Sequence, residues 1–112
     1  MLFRLTLTTW LICAGLANTA SAEPDLENGK TLVRTYCALC HGVDGNARST
    51  SLQPVPMLAG QPAVYLVQEM QNYSTGARED KSKRQMMSKK LNTLKAGEFE
   101  DIAAYFAAQE RY

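Results

Sequence analysis

Histidine occurs once in this chain of 112 residues, as His41, and cysteine only three times, as Cys13, Cys37 and Cys40. Neither charge sign dominates: 12 Lys and Arg face 11 Asp and Glu, so no global charge argues for nucleic acid or an anionic membrane as partner. No apolar run approaches the roughly 20 residues that a membrane-spanning helix needs. Strand-like alternation is missing too. That leaves no βαβ setting for a thioredoxin-like dithiol. No repeat, low-complexity tract or internal linker divides the chain, and its 46% hydrophobic content suits one small domain.

The most apolar stretch lies at the start. Met1 to Arg4 is short and basic, Leu5 to Ala17 is mostly apolar, and "ANTASA" places Ala20 and Ala22 as a small-x-small cleavage site. Residues 1–22 therefore read as a secretory signal peptide, and residues 23–112 as the domain. Removing 22 residues from 112 leaves 90, and Cys13 goes with them. Arg4 is the only charged residue lost, so 11 basic residues then balance 11 acidic ones. A domain of this size buries a modest core and gains from a staple or a covalently held cofactor.

In what remains, Leu26 to Tyr36 predicts a first helix, with Leu26, Gly29, Leu32, Val33 and Tyr36 on one face. Gly29 weakens a helix interior, so a second helix should cross its backbone closely. Residues 42–60, with three glycines and two prolines, predict a loop. Pro62 should start a second helix that uses Val64, Tyr65, Leu66, Met70 and Tyr73 and ends at Gly76. A basic loop over 77–90 holds Met86 and Met87. A last helix spans roughly Glu98 to Gln109, with Phe99, Ile102, Ala103 and Phe106 as its buried stripe. The expected fold is all-α, about four short helices around something central.

"TYCALCHGVDG" (35–45) indicates what that is. Cys37, Cys40 and His41 share one face of a helical turn and present two thiols and one imidazole to a single object. Cys-x-x-Cys-His is the attachment signature of c-type haem: the thiols take the vinyl groups and the imidazole takes the iron. A tetrahedral zinc site would lack its fourth ligand. A plain disulfide remains compatible with export but leaves the histidine and the later methionines without a role. For the other axial position the chain offers Met57, Met70, Met86 and Met87, of which Met70 suits the core of the second helix. Histidine and methionine together favour reduced iron and raise the potential.

In "CALCHGVDGN" (37–46), "PMLAGQPAVYLVQEMQNYSTGAR" (56–78) and "EFEDIAAYFAAQ" (98–109), the chain resembles a class I cytochrome c, specifically one domain of the cytochrome c4 family. The resemblance covers nearly all of residues 23–112. It implies the class I cytochrome c fold around one covalent haem c, held by Cys37 and Cys40 and ligated through iron by His41 and Met87. It picks Met87 because that residue stands eight before Lys95 in "LKAGE" (94–98), the capping segment of the last helix. It assigns the carbonyl of Pro56 to the other ring nitrogen of His41. It also sets Ile102 and Tyr105 across Gly29. Lys95 departs from the family's Ser or Asp cap, a loss of about 0.5–2 kcal/mol that Thr93 could offset. The family carries two such domains, whereas this chain has one CxxCH and so one haem, leaving a monomer or a weak homodimer.

The implied function is that of a periplasmic monohaem electron carrier and not an enzyme. Two other roles stay open: the haem subunit of a larger oxidoreductase, such as a flavocytochrome sulfide dehydrogenase, or a ligand-binding haem sensor. Redox protein partners are expected, docking on the basic segment from Arg78 to Lys95. That segment carries seven Lys and Arg against Glu79 and Asp80 alone. Neither nucleic acid nor a membrane anchor persisting after signal cleavage is expected.

Overall fold

The computed structural model describes Gly15, residues 22–52, 54–95 and 97–112. The expected signal peptide therefore lies outside the described residues, apart from Gly15 and Ala22. Among the described residues every regular element is helical, and no helix is long and apolar enough to cross a membrane.

The first helical rod covers 26–41 in three pieces: α1 (Leu26–Leu32), a π-helical turn (Val33–Cys37) and α2 (Ala38–His41). Asp25 opens it by accepting a 3.0 Å bond from the Asn28 amide. The sequence predicted an end at Tyr36. The chain instead stays helical through both cysteines, because the Ala38 amide reaches back five residues to the Val33 carbonyl and widens the turn. Such widened turns often accompany functional sites.

Next in the chain come α3 (Ala63–Thr75), a 3-10 turn (Lys83–Gln85), α4 (Met86–Leu91) and α5 (Glu98–Ala107). Pro62 precedes the first turn of α3 as its cap rather than opening it. The predicted apolar face of α3 is also too wide. Leu66 and Met70 are buried, but Val64 is 84% exposed and Tyr65 49%. The predicted loop at 77–90 is replaced in its second half by the 3-10 turn and α4, so both Met86 and Met87 are helical.

The first and last helices build the core. Leu32 and Val33 pack with Leu66, Met70, Leu91, Ile102, Ala103 and Phe106. A Cβ on Gly29 would overlap the Asp101 carbonyl oxygen and stand 2.8 Å from its carbon and 3.0 Å from Tyr105 Cβ. The helix crossing is thus where the sequence placed it. Its closest backbone belongs to Asp101, with Ile102 buried alongside. The Asp101 carboxylate secures the crossing by accepting from the Asp25 amide and from Asn28 Nδ2, both at 2.8 Å.

α5 has no side-chain cap, but its cap position is Gly97 rather than the expected Lys95, and the compensation comes from elsewhere. Thr93 donates its hydroxyl to the Lys90 carbonyl at 2.7 Å. Glu98 reaches back to accept from the Lys95 amide at 2.9 Å. With Glu100 and Asp101 it also brings negative charge to the first turn, where the helix dipole favours it.

Candidate functional site

The rod delivers Cys37, Cys40 and His41 to one place. Leu39, between the cysteines, is 97% exposed. Cys37 and Cys40 are half-buried and His41 is buried, so these three share the inward face. Both thiols are free. Burial pushes the Cys37 thiol up to about 11, against the pull of the Lys90 ammonium and with a further push from Cys40. Lys90 lies on α4, so the helix that carries Met87 is within electrostatic reach of Cys37.

His41 Nδ1 donates to the Pro56 carbonyl at 3.3 Å. A proton held on Nδ1 leaves the lone pair on Nε2, the arrangement a metal-ligating imidazole needs. Burial lowers the His41 pKa, with the Pro56 bond opposing. Among the described residues no group of three or more His, Cys, Asp and Glu is placed to hold a metal ion directly. Two thiols beside one imidazole oriented by the Pro56 carbonyl suit a macrocycle that brings its own iron and four of its ligands.

The candidate methionines separate by burial. Met70 belongs to the hydrophobic core, as predicted. Met86 is 41% exposed. Met87 is partly buried and packs against the core, as do Cys37, Leu58 and Leu94. Met57 is half-buried in the loop after Pro56. Phe106 and Leu66 are buried and Phe99 is partly so, while Tyr65 is 49% exposed.

The loop 42–60 is anchored by residues that the hydrophobic pattern did not reveal. Gly45 has a φ of +75°, and a Cβ there would meet Phe106 Cδ1 at 2.7 Å. Its carbonyl accepts from the amides of Leu58 and Ala59. Asn46, 8% exposed, donates through Nδ2 to the Glu110 carbonyl at 2.8 Å and accepts from the Tyr112 amide at 3.4 Å. Tyr105 donates its hydroxyl to the Val43 carbonyl at 2.7 Å. Replacing Asn46 by alanine leaves the Glu110 carbonyl without that donor. The expected loss is about 1–3 kcal/mol, read as a lower urea midpoint with an unchanged slope. A midpoint equal to wild type would show that the loop is held without it.

The basic segment is partly rearranged by structure. Arg78 leaves the set: it pairs with Glu69 and lies 4.6 Å from the Tyr73 ring centroid. Asp80 turns its carboxylate to backbone amides of the same segment. Lys81, Lys83, Arg84, Lys89, Lys90 and Lys95 remain exposed around Met87. The 4.0 Å contact of Lys81 with Glu79 joins two side chains about 80% exposed and adds little.

The family model for cytochrome c matches residues 26–109. Cytochrome c4 of Stutzerimonas stutzeri is 36% identical over 109 residues, covering 93% of this chain and 50% of that protein. Cytochrome c4 of Pseudomonas aeruginosa is 35% identical over 104 residues, covering 93% and 48%. Cytochrome c-552 of Acidithiobacillus ferridurans is 30% identical over 106 residues, covering 95% and 45%. The chain thus spans about half the length of the curated relatives it matches.

Proposed function

Because the chain belongs to the cytochrome c family, with one haem c held covalently at Cys37 and Cys40 in the CxxCH position, we propose that it is a periplasmic monohaem electron carrier. Its iron ligands are His41 and Met87. The observation that carries the reading is the Nδ1 bond from His41 to the Pro56 carbonyl, on the same short rod that presents both cysteines. A fixed tautomer aims one nitrogen lone pair and holds it through a redox cycle. Bound haem supplies a one-electron iron couple.

The residues around the group define the rest. Met87 is half-buried against the core, whereas Met86 is 41% exposed and Met70 is taken up by the core itself, and a thioether ligand favours the reduced state. Leu66 and Phe106 lower the local polarity. Were His41 and Met87 both to ligate the iron, no position would be left on it for substrate, and the chain would make or break no substrate bond. The signal-like pattern of residues 1–22 supports export.

The exposed lysines and Arg84 around Met87 offer a docking face for an acidic redox partner. The experiment is a stopped-flow measurement of electron exchange with an acidic partner protein, combined with a redox titration. A single one-electron wave is expected. The bimolecular rate should fall roughly tenfold as salt shortens the Debye length from about 30 Å to about 8 Å. A rate flat with ionic strength removes the docking face. Carbon monoxide binding rapidly to the reduced wild type removes the carrier reading in favour of a ligand sensor.

A further inference from the structure

We propose that Asp80, acting through Ser82, is the positioning residue that holds Met87 in place for the iron; this rests on the reading of Met87 as a ligand. The helix that carries Met87 is poorly made by its own sequence. α4 has only six residues, too few to persist alone. Arg84 and Gln85, which lead into it, have φ of 58° and 54°, a left-handed backbone unfavourable for residues with side chains. Gln85, at the cap position, makes no side-chain hydrogen bond to the helix.

The missing cap is supplied from further back. Asp80 Oδ1 accepts from the Ser82 amide at 2.9 Å and also from the Ser82 hydroxyl. That hydroxyl, its proton committed to Asp80, accepts from the Met87 amide at 3.1 Å. Asp80 Oδ2 accepts from the Ser88 amide at 2.7 Å. One carboxylate therefore holds the turn before α4, the Ser88 amide directly and the Met87 amide through the Ser82 hydroxyl. Asp80 does not touch the Met87 side chain; it fixes the backbone from which the thioether extends. Partial burial pushes the Asp80 carboxyl upward, but bonds from Ser82 and Ser88 outweigh it and hold the pKa at about 2. The carboxylate is accordingly charged wherever the protein is folded near neutral pH.

The test uses the haem-loaded protein as wild type, Asp80→Ala, Asp80→Asn, Ser82→Ala and Met87→Ala. Three quantities are followed: the weak far-red absorption of the oxidised form, carbon monoxide binding to the reduced form, and amide exchange. In Asp80→Ala the far-red band should weaken, and carbon monoxide should bind at least tenfold faster. Exchange at the Met87 and Ser88 amides should accelerate at least tenfold, while Ile102 and Ala103 keep wild-type protection. Asp80→Asn keeps an acceptor oxygen and should fall between Asp80→Ala and wild type, as should Ser82→Ala. If Asp80→Ala does not fold, these two milder variants carry the same measurements. Wild-type values for all three quantities in the folded variants overturn the proposal. A band that survives in Met87→Ala overturns the ligand reading itself. Loss of the band in Met87→Ala beside intact behaviour in the Asp80 and Ser82 variants overturns the positioning role alone.

Discussion

Met87→Ala in the haem-loaded protein should abolish the far-red band of the oxidised form, open the reduced form to carbon monoxide and lower the midpoint potential. A thioether prefers ferrous to ferric iron, so removing it stabilises the oxidised state. If the preference is at least tenfold, the potential falls by about 59 mV or more for a one-electron couple. Truncating a half-buried methionine also removes packing, at roughly 1–2 kcal/mol, below the cost at a fully buried site. That loss changes the unfolding midpoint but leaves the absorption of the folded protein alone, so the two effects separate. Met86→Ala is the matched control: its side chain is 41% exposed, and its band and potential should stay at wild-type values. Met57→Ala should behave like the control. If the band disappears instead in Met57→Ala or Met86→Ala, the sulfur ligand is that residue.

Gly29→Ala carries the largest expected cost to stability. Alanine is the better helix former by about 1 kcal/mol. Against this, the new Cβ overlaps the Asp101 carbonyl oxygen and stands 2.8 Å from the carbonyl carbon. The obstruction is backbone in the middle of α5, not the tip of a mobile side chain, so relief requires α1 and α5 to move apart. Overpacking costs about 1–3 kcal/mol when side chains can yield, and more when they cannot. Packing therefore wins, with a net loss of about 2 kcal/mol or more. Separation of the two helices also strains the bonds from Asp101 to Asp25 and Asn28. The urea midpoint should drop clearly, and Gly29→Val should be worse than Gly29→Ala. An unchanged midpoint for Gly29→Ala would mean that the helices pass farther apart than described.

The contrast between Gly29 and α4 shows what a sequence of this kind makes legible. Gly29 stood out because a glycine in an apolar helical stripe contradicts local propensity, and a close crossing resolves the contradiction. The cysteines and the histidine were legible because their chemistry depends on spacing within five residues. α4 was not, because no apolar period builds it. Its first turn is made by the polar side chains of Asp80 and Ser82, which a reading by hydrophobic spacing assigns to solvent. Asn46 was hidden for a related reason: its partners lie 64 and 66 residues away. Val64 and Tyr65 were misassigned because apolar identity was counted at the start of α3, before its buried face, set by Leu66 and Met70, is established.

The bond from Asp101 to the Asp25 amide joins residues 76 apart in the chain. Closing a loop of that length costs an unstructured chain about 4 kcal/mol of entropy, beyond a length-independent constant. The pairing of α1 with α5 is non-local in this way, and contacts between distant segments slow folding. Order of synthesis sharpens the point. The ribosome makes α1 and the cysteines first and α5 last, so the backbone that crosses Gly29 and the carboxylate that holds Asp25 and Asn28 are the last parts of that crossing to be made.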